Sequence, residues 1–235
     1  MRPWAGVPRS RTLAAEAYGK AGLPGRRTPW REARYCVVDL ELSGLDPRTD
    51  EIISFGAVPI DAGLIGAGRS LYGLARPTRP LPGASVVVHG IRTVDLEEAP
   101  LVDESVVPLL EALTGRVLVA HSAEVERAFL GAALRRQGVR LREPVLDTAV
   151  LGRLLMIERG DAAPKYLALG RLAELLGLPE HRPHHALGDA LTTAQAFLAI
   201  AAHLDKLGRE TVGSLARAGA RVESARHFSP RPTGS

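Results

Sequence analysis

The chain first sets down apolar runs at strand spacing and then alternates strands with amphipathic helices. "YCVVDLEL", from Tyr35, is rich in apolar and β-branched residues, is stopped by "SGLDP", and predicts a strand. "EIISFGAVPI" predicts a second strand and "RSLYGLARP" a third, with "DAGLIGAG" as the turn between them. The spacing then lengthens: "VVPLLEALTG" predicts a helix ending at Gly115, followed by the strand "RVLVAH". "EVERAFLGAALRRQG" predicts a helix closed by Gly138, and the short strand "PVLD" leads into another helix. "LGRLAELLGL" and "HALGDALTTAQAFLAIAAHLDKLG" predict two more. Three strands at hairpin spacing followed by strand–helix alternation indicate an α/β fold around a mixed five-stranded sheet.

Composition bounds this picture. With 235 residues, 46% of them apolar, the chain can bury one ordinary core. Apolar runs fall well short of the ~20 residues of a membrane span, and the N-terminus has no continuous apolar stretch of signal-peptide type. An Arg/Ala-rich, acid-poor start leaves a transit peptide as a minor alternative. Cys36 is the single cysteine, so no intramolecular disulfide can form. These features lead to the expectation of a cytoplasmic protein with no membrane association.

Charge is divided unevenly. Residues 1–34 hold eight Lys/Arg against two glutamates, and residues 206–235 hold six against two. The middle carries 16 basic and 22 acidic residues, a net charge of −6. The expected organisation is therefore a basic, flexible extension over 1–34, an acidic body over 35–205 and a basic tail over 206–235. Basic ends would attract a polyanion over distance, while an acidic body could hold carboxylates for metal. A solvated acidic surface with disordered tails fits the same charges.

Asp39 and Glu41 are two apart on the first strand, so both carboxylates point to one face. Two acids closing an apolar strand need positive compensation, and an all-oxygen donor set favours Mg²⁺ or Mn²⁺. A strand end rising into solvent accounts for the pair equally well. In "HHALGDA", His184 lies five residues before Asp189, about 140° away if both stood on one helix. The two converge only if His184 sits in the loop after Pro183, which suits a general base beside a metal ligand. An exposed loop histidine is the plainer reading of His184 taken alone. In "VAHSAEVERAFL", a core face centred on Val125, Phe129 and Ala132 would leave Glu124 and Glu126 flanking it at about 100°, with Glu126 on the more apolar side. Asp147 stands where a helix N-cap is wanted, and a structural role suits it best.

The ordered set "VVDLELSGLDP", "VHGIRTVDLEEAP", "VAHSAEVERAFL", "LDTAVLGRL", "LGRLAELLGLP" and "HHALGDALTTAQAFL" resembles the DEDDh 3′–5′ exonucleases, the family that includes the proofreading epsilon subunit of bacterial DNA polymerase III. It covers roughly Tyr35 to Ala202. The resemblance implies an RNase H-like fold, a mixed sheet with helices on both faces. It implies Asp39, Glu41 and Asp189 as metal ligands and His184, rather than His185, as general base. Two ions about 4 Å apart would clamp the scissile phosphate. A 5′-mononucleotide would leave a nucleic-acid 3′ end, with single-stranded DNA the expected substrate and RNA left open. Ser43, Gly44, Leu45, Val88, His89 and His121 align with positions lining the terminal-nucleotide pocket. Gly44 as a plain turn residue and Val88 as a core residue are the competing readings. A DNA polymerase is a candidate partner.

The third acidic motif departs from the family. Ser122, Val125 and Glu126 stand where the family has Asn, an aromatic and the metal-binding Asp. Glu126 keeps the charge and reaches roughly 1.5 Å further than an aspartate, so the four-carboxylate count survives. A nuclease-derived module that binds nucleic acid or nucleotide without turnover is the alternative reading, and a scaffold for the basic ends is a third.

Overall fold

The computed structural model describes residues 11–208 and 210–222. Strands β1 (Arg34–Leu42), β2 (Ile52–Asp61), β3 (Leu64–Ile65), β4 (Leu71–Leu74), β5 (Val117–Ala120) and β6 (Val145–Asp147) form one mixed sheet. Its order is β3-β2-β1-β5-β6, and β4 also pairs with β2. The first strands pair antiparallel, while β5 and β6 run parallel to β1. The two-residue β3 lies inside the segment expected to be only a turn, which raises the strand count to six.

Helices cover both faces, as the family fold implies. Along β1, Cys36, Val38, Leu40 and Leu42 face α3 (Val102–Leu113) and α4 (Glu124–Arg136). Tyr35 and Val37 face α5 (Thr148–Glu158) and α7 (Ala186–Leu207). Period-2 alternation then carries Asp39 and Glu41 onto the second face, at the end of the strand. Two shorter helices complete the order up to α7: α2 (Gly83–His89) after β4, and α6 (Leu169–Leu176) after α5.

The expected flexible extension over 1–34 is corrected for its described part. Residues 11–20 form α1, which packs on α3 with Ala14 and Tyr18 in the core. The Tyr18 hydroxyl accepts the Arg142 N–H at 3.1 Å. Trp30 is fully buried against Phe197, their rings edge-on at 6.5 Å. The physical reason is that small alanines and two large aromatics bury well without an apolar stripe, while the prolines nearby only shape the path. The C-terminal boundary moves in the same way. Val212 and Leu215 of α8 (Val212–Ala216), with Ala218 and Val222, enter the core on the α7 side. Residues 1–10 and 223–235, which hold the remainder of the expected basic ends, lie outside the described residues.

One close approach seats α7. A side chain at Gly56, mid-β2, would overlap the carbonyl of Ala186 at the start of α7. Gly56 pairs with Asp39, so the missing side chain lets the helix start directly over that acid. Replacing Gly56 with Ala should destabilise the fold by about 1–3 kcal/mol, the usual penalty of overpacking. Gly68→Ala meets nothing within 4 Å and serves as control. Chemical denaturation of both variants checks this: equal midpoints would show that α7 moves freely to accommodate the methyl.

Candidate active site

β1 and α7 bring the site together. Asp39, Glu41 and Asp189 each offer a carboxylate oxygen within 4.8 Å of the others. Asp39 and Asp189 are half-buried, and Glu41 is buried. Asp189 stands in the first turn of α7, and its Oδ2 accepts the backbone N–H of His184 at 2.9 Å. That bond folds the preceding loop over the helix start. Gly188 is needed for the same fold, because a side chain there would overlap the carbonyl of His181. Arg182 and His184 both take positive φ, 43° and 59°, so the loop turns sharply before the helix.

The two adjacent histidines part company. His184 is exposed and lies close enough to Asp189 to stabilise its charge. His185 turns to β4 and stacks on Tyr72, ring centroids 4.6 Å apart. Its buried Nδ1 has no hydrogen-bond partner, and burial lowers its pKa.

Glu126, in the first turn of α4, is 5% exposed, and its Oε2 is buried with no partner. Glu124 is exposed. The buried face of α4 runs through Glu126, Phe129, Leu130, Ala133 and Leu134, so Glu126 lies on the core face itself and not on its flank. It is outside the trio that meets within 4.8 Å, yet its charge acts on Asp39 more strongly than that of any other acid. Asp147 holds α4 in place. Its carboxylate accepts N–H groups from Ser122 and Ala123, at 3.1 and 3.0 Å, and from Ala149 and Val150 at the start of α5, at 2.8 and 3.4 Å. The expected N-cap role of Asp147 is present, and it joins two helix starts. Ser122, in the place of the family's Asn, takes φ 56° at this junction.

The remaining expected residues divide. Ser43 is turned inward: its Oγ accepts the Glu51 N–H at 2.9 Å, and it lies 3.4 Å from Asp50. A side chain at Gly44 would overlap the Asp50 carboxylate, so the turn reading of Gly44 has a steric basis. Leu45 and Val88 are 80% and 56% exposed, so neither is a core residue. His89, at the end of α2, accepts the Ile91 N–H on Nδ1 at 3.1 Å. Both ring nitrogens of His121 are engaged within the fold, Nδ1 with Thr148 Oγ1 at 3.0 Å and Nε2 with the Leu167 carbonyl at 2.8 Å. Burial lowers the His121 pKa, so the neutral ring donates from Nε2 and accepts on Nδ1. Sequence reading missed Gly56, Gly188 and Tyr72. A glycine inside an apolar strand is a signal of close backbone approach and marks Gly56; Tyr72 carries no comparable mark.

Electrostatically the site is under load. Every influence on Asp39 raises its pKa well above the usual carboxylate range: burial first, then the charges of Glu126, Asp189 and Glu41. Burial and Asp189 push Glu41 to about 7. Burial pushes Glu126 to about 8, opposed by its own backbone N–H and reinforced by Asp147. Asp189 is raised by burial, offset partly by the N–H and charge of His184. Dications coordinated by carboxylate oxygens relieve such repulsion, and the unpartnered Glu126 Oε2 is the kind of acceptor that seeks one.

Unfolded carboxyls titrate near pH 4, whereas Glu41 and Glu126 hold their protons to about 7 and about 8 when folded. Their stabilising contribution is therefore fully present at low pH and lost as pH rises through the folded values. With chelator present, the melting temperature should fall between about pH 5 and about pH 8.5. Glu126→Gln should raise it at the alkaline end and leave it little changed near pH 4. A gain that does not grow with pH would mean that Glu126 is not a strained buried acid.

Comparison with known proteins fits this geometry. The family model described as exonuclease, RNase T, matches residues 36–197. A DNA polymerase III subunit epsilon-like protein of Rhodobacter capsulatus is 36% identical over 191 residues, covering 80% of this chain and 26% of that protein. The chain thus spans about a quarter of that relative's length. Exonuclease X, solved in complex with 5′ overhanging duplex DNA, superposes with a TM-score of 0.60 at 21% identity, covering 79% of this chain and 99% of that one. The nuclease domain of 3′hExo, a DEDDh family member bound to rAMP, gives 0.59 at 16% identity, covering 76% and 94%. At those identities the two structures establish the fold, RNase H-like. The family match runs from β1 into α7, through each of the four acids, and by it this chain belongs to the exonuclease family.

Proposed function

We propose that the protein is a metal-dependent 3′–5′ exonuclease that removes 5′-mononucleotides from single-stranded ends, DNA being the expected substrate. The observation that carries this reading is the meeting of partly buried Asp39, Glu41 and Asp189 oxygens within 4.8 Å, with the unpartnered Glu126 Oε2 belonging to an acid whose charge acts on Asp39. An all-carboxylate donor set matches Mg²⁺ or Mn²⁺. Asp39, Glu41, Asp189 and Glu126 would hold two ions. When bound, these supply positive charge for water activation and for the departing oxygen.

The chain's own residues account for the rest. Water attacks phosphorus, the bond from phosphorus to the 3′ oxygen breaks, and the nucleotide leaves with a 5′-phosphate. His184, exposed at the tip of its loop, is free to accept the proton of the attacking water, while the stacking of His185 on Tyr72 removes its neighbour from that role. Exposed Leu45 and Val88 offer apolar surface to the terminal base, and His89 lies beside Val88. A protein that bound nucleic acid without turnover would need neither the tolerated repulsion among four acids nor an exposed histidine beside them.

The test is release of mononucleotides from a 5′-labelled single strand, stopped by chelator and restored by Mg²⁺ or Mn²⁺. Strand binding without release in either metal would favour the binding module. Asp39→Ala and Asp189→Ala should each lose more than about 100-fold, since even supporting residues around metal sites cost 10–100-fold. His184→Ala should lose about 10²–10⁴-fold while retaining metal affinity, with His185→Ala affected much less. If His185→Ala were the more damaging change, the assignment of the base would be reversed. Glu126→Asp draws its carboxylate back by roughly 1.5 Å and should be impaired with Mg²⁺, which demands near-ideal octahedral geometry. Full Mg²⁺ activity in that variant would remove Glu126 from the ligand set.

A further inference from the structure

The loop between α5 and α6 presents a feature that the proposed chemistry leaves unused. It leaves the far end of α5 and returns to the acidic edge, where a hydrogen bond fixes it. The Leu167 carbonyl accepts from His121 Nε2 at 2.8 Å. The register of β1 with β5, Val37 beside Val119, carries His121 to the level of Asp39. Beyond the loop, a side chain at Gly170 would press on the Glu180 carboxylate, and the charge of Glu180 is felt by Asp189. The loop is thus tied near β1, and α6, which follows it, packs on α7.

Between these anchors the side chains change character abruptly. Leu167 is 4% exposed, whereas Tyr166 is 81% exposed and Lys165 is exposed beside it. The Lys165 ammonium lies 5.2 Å from the centre of the Tyr166 ring. Aromatic residues make up only 4% of the sequence, and the other tyrosines, Tyr18, Tyr35 and Tyr72, are buried or half-buried. An exposed tyrosine contributes nothing to the core. Its ring face is suited to an unpaired base, and a lysine next to it to a phosphate.

We infer that Lys165 and Tyr166 form a binding site for the strand behind its 3′ end: Tyr166 stacks an unpaired base upstream of the scissile phosphate, and Lys165 contacts the backbone there. Leu45 lies in the turn from β1 to β2, whereas the loop is tied to the end of β5 on the other side of β1; on this inference a strand whose terminal base lies against Leu45 crosses the acids and next meets Tyr166. Lys165 also supplies a cation at the rim of a strongly acidic edge, where a phosphate backbone would otherwise be repelled. This inference rests on the nuclease reading above, and binding measurements separate the two.

The full-length protein is compared with Tyr166→Ala, Tyr166→Trp and Lys165→Gln on two substrates: the p-nitrophenyl ester of thymidine 5′-monophosphate, which has no upstream base, and a thymidine strand of ~8 nucleotides. Stacking of one base predicts that Tyr166→Ala raises KM and Kd for the strand about 5- to 150-fold. Its kcat, and its kinetics on the ester, should stay within about twofold of the native protein. Tyr166→Trp should restore strand binding. Lys165→Gln should reduce the slope of log Kd against log salt by about 0.7, one single-strand phosphate contact. Native-like strand affinity in Tyr166→Ala overturns the inference, as does equal damage to strand and ester. If the native protein hydrolyses neither substrate, the nuclease reading fails. Fluorescence anisotropy of the labelled strand then decides alone: weakened binding by Tyr166→Ala upholds the platform, and unchanged binding overturns it.

Discussion

The site depends on how closely the first turn of α7 approaches the sheet. Gly56 lies opposite Asp39 on the neighbouring strand, and the Ala186 backbone occupies the space where a Gly56 side chain would be. Gly188 repeats the device one layer out, admitting the His181 backbone over the same turn. Without both, Asp189 would stand a side-chain layer further from β1, and its carboxylate could not meet those of Asp39 and Glu41. Two absent side chains thus set the spacing of three charged ones, because protein interiors accommodate a new atom only by displacement.

The two ends of the central strands treat acids in opposite ways. At one end, Asp61 gathers Arg34, Arg69 and Arg116, which hold its carboxyl far below the usual range. At the other, Asp39, Glu41 and Glu126 are raised by burial and by one another. Asp147 shows that an acid at this edge can be satisfied, since four backbone N–H groups converge on it. The unsatisfied acids are therefore not a general consequence of location. They are a local concentration of acids that destabilises the fold, the common pattern at functional sites, and on the proposed reading dications would relieve it.

Much of this was legible in the sequence because it depends on short-range periodicity. Alternation along "VVDLEL" places Asp39 and Glu41 on one face, and five of the six strands and helices α3 to α7 follow from apolar spacing. The exceptions have physical causes. Helix α1 buries Ala14 and Tyr18 but has no broad apolar stripe, and α8 spans only five residues. The buried face of α4 was placed about one residue too early, because an acid at its centre contradicts the hydrophobic pattern used to find it. That Ser43 locks a loop, and that His121 bridges Thr148 and Leu167, depends on partners distant in sequence, which no local pattern encodes.

Glu126 shows why a longer acid can serve at this position. Helix α4 begins at a junction where Ala123 provides no side-chain acceptor, and Asp147 takes up only the N–H groups of Ser122 and Ala123. The backbone N–H of Glu126 favours the charge of its own carboxylate. The helix N-terminus favours its charge, yet burial outweighs this and leaves the acid titrating at about 8. An aspartate there would extend roughly 1.5 Å less far over the sheet edge. With one more methylene, Oε2 stands unpartnered and the charge of Glu126 still reaches Asp39. On the proposed reading that free oxygen completes the metal-binding set, and the departure from aspartate changes how the ligand is mounted while preserving the charge it brings.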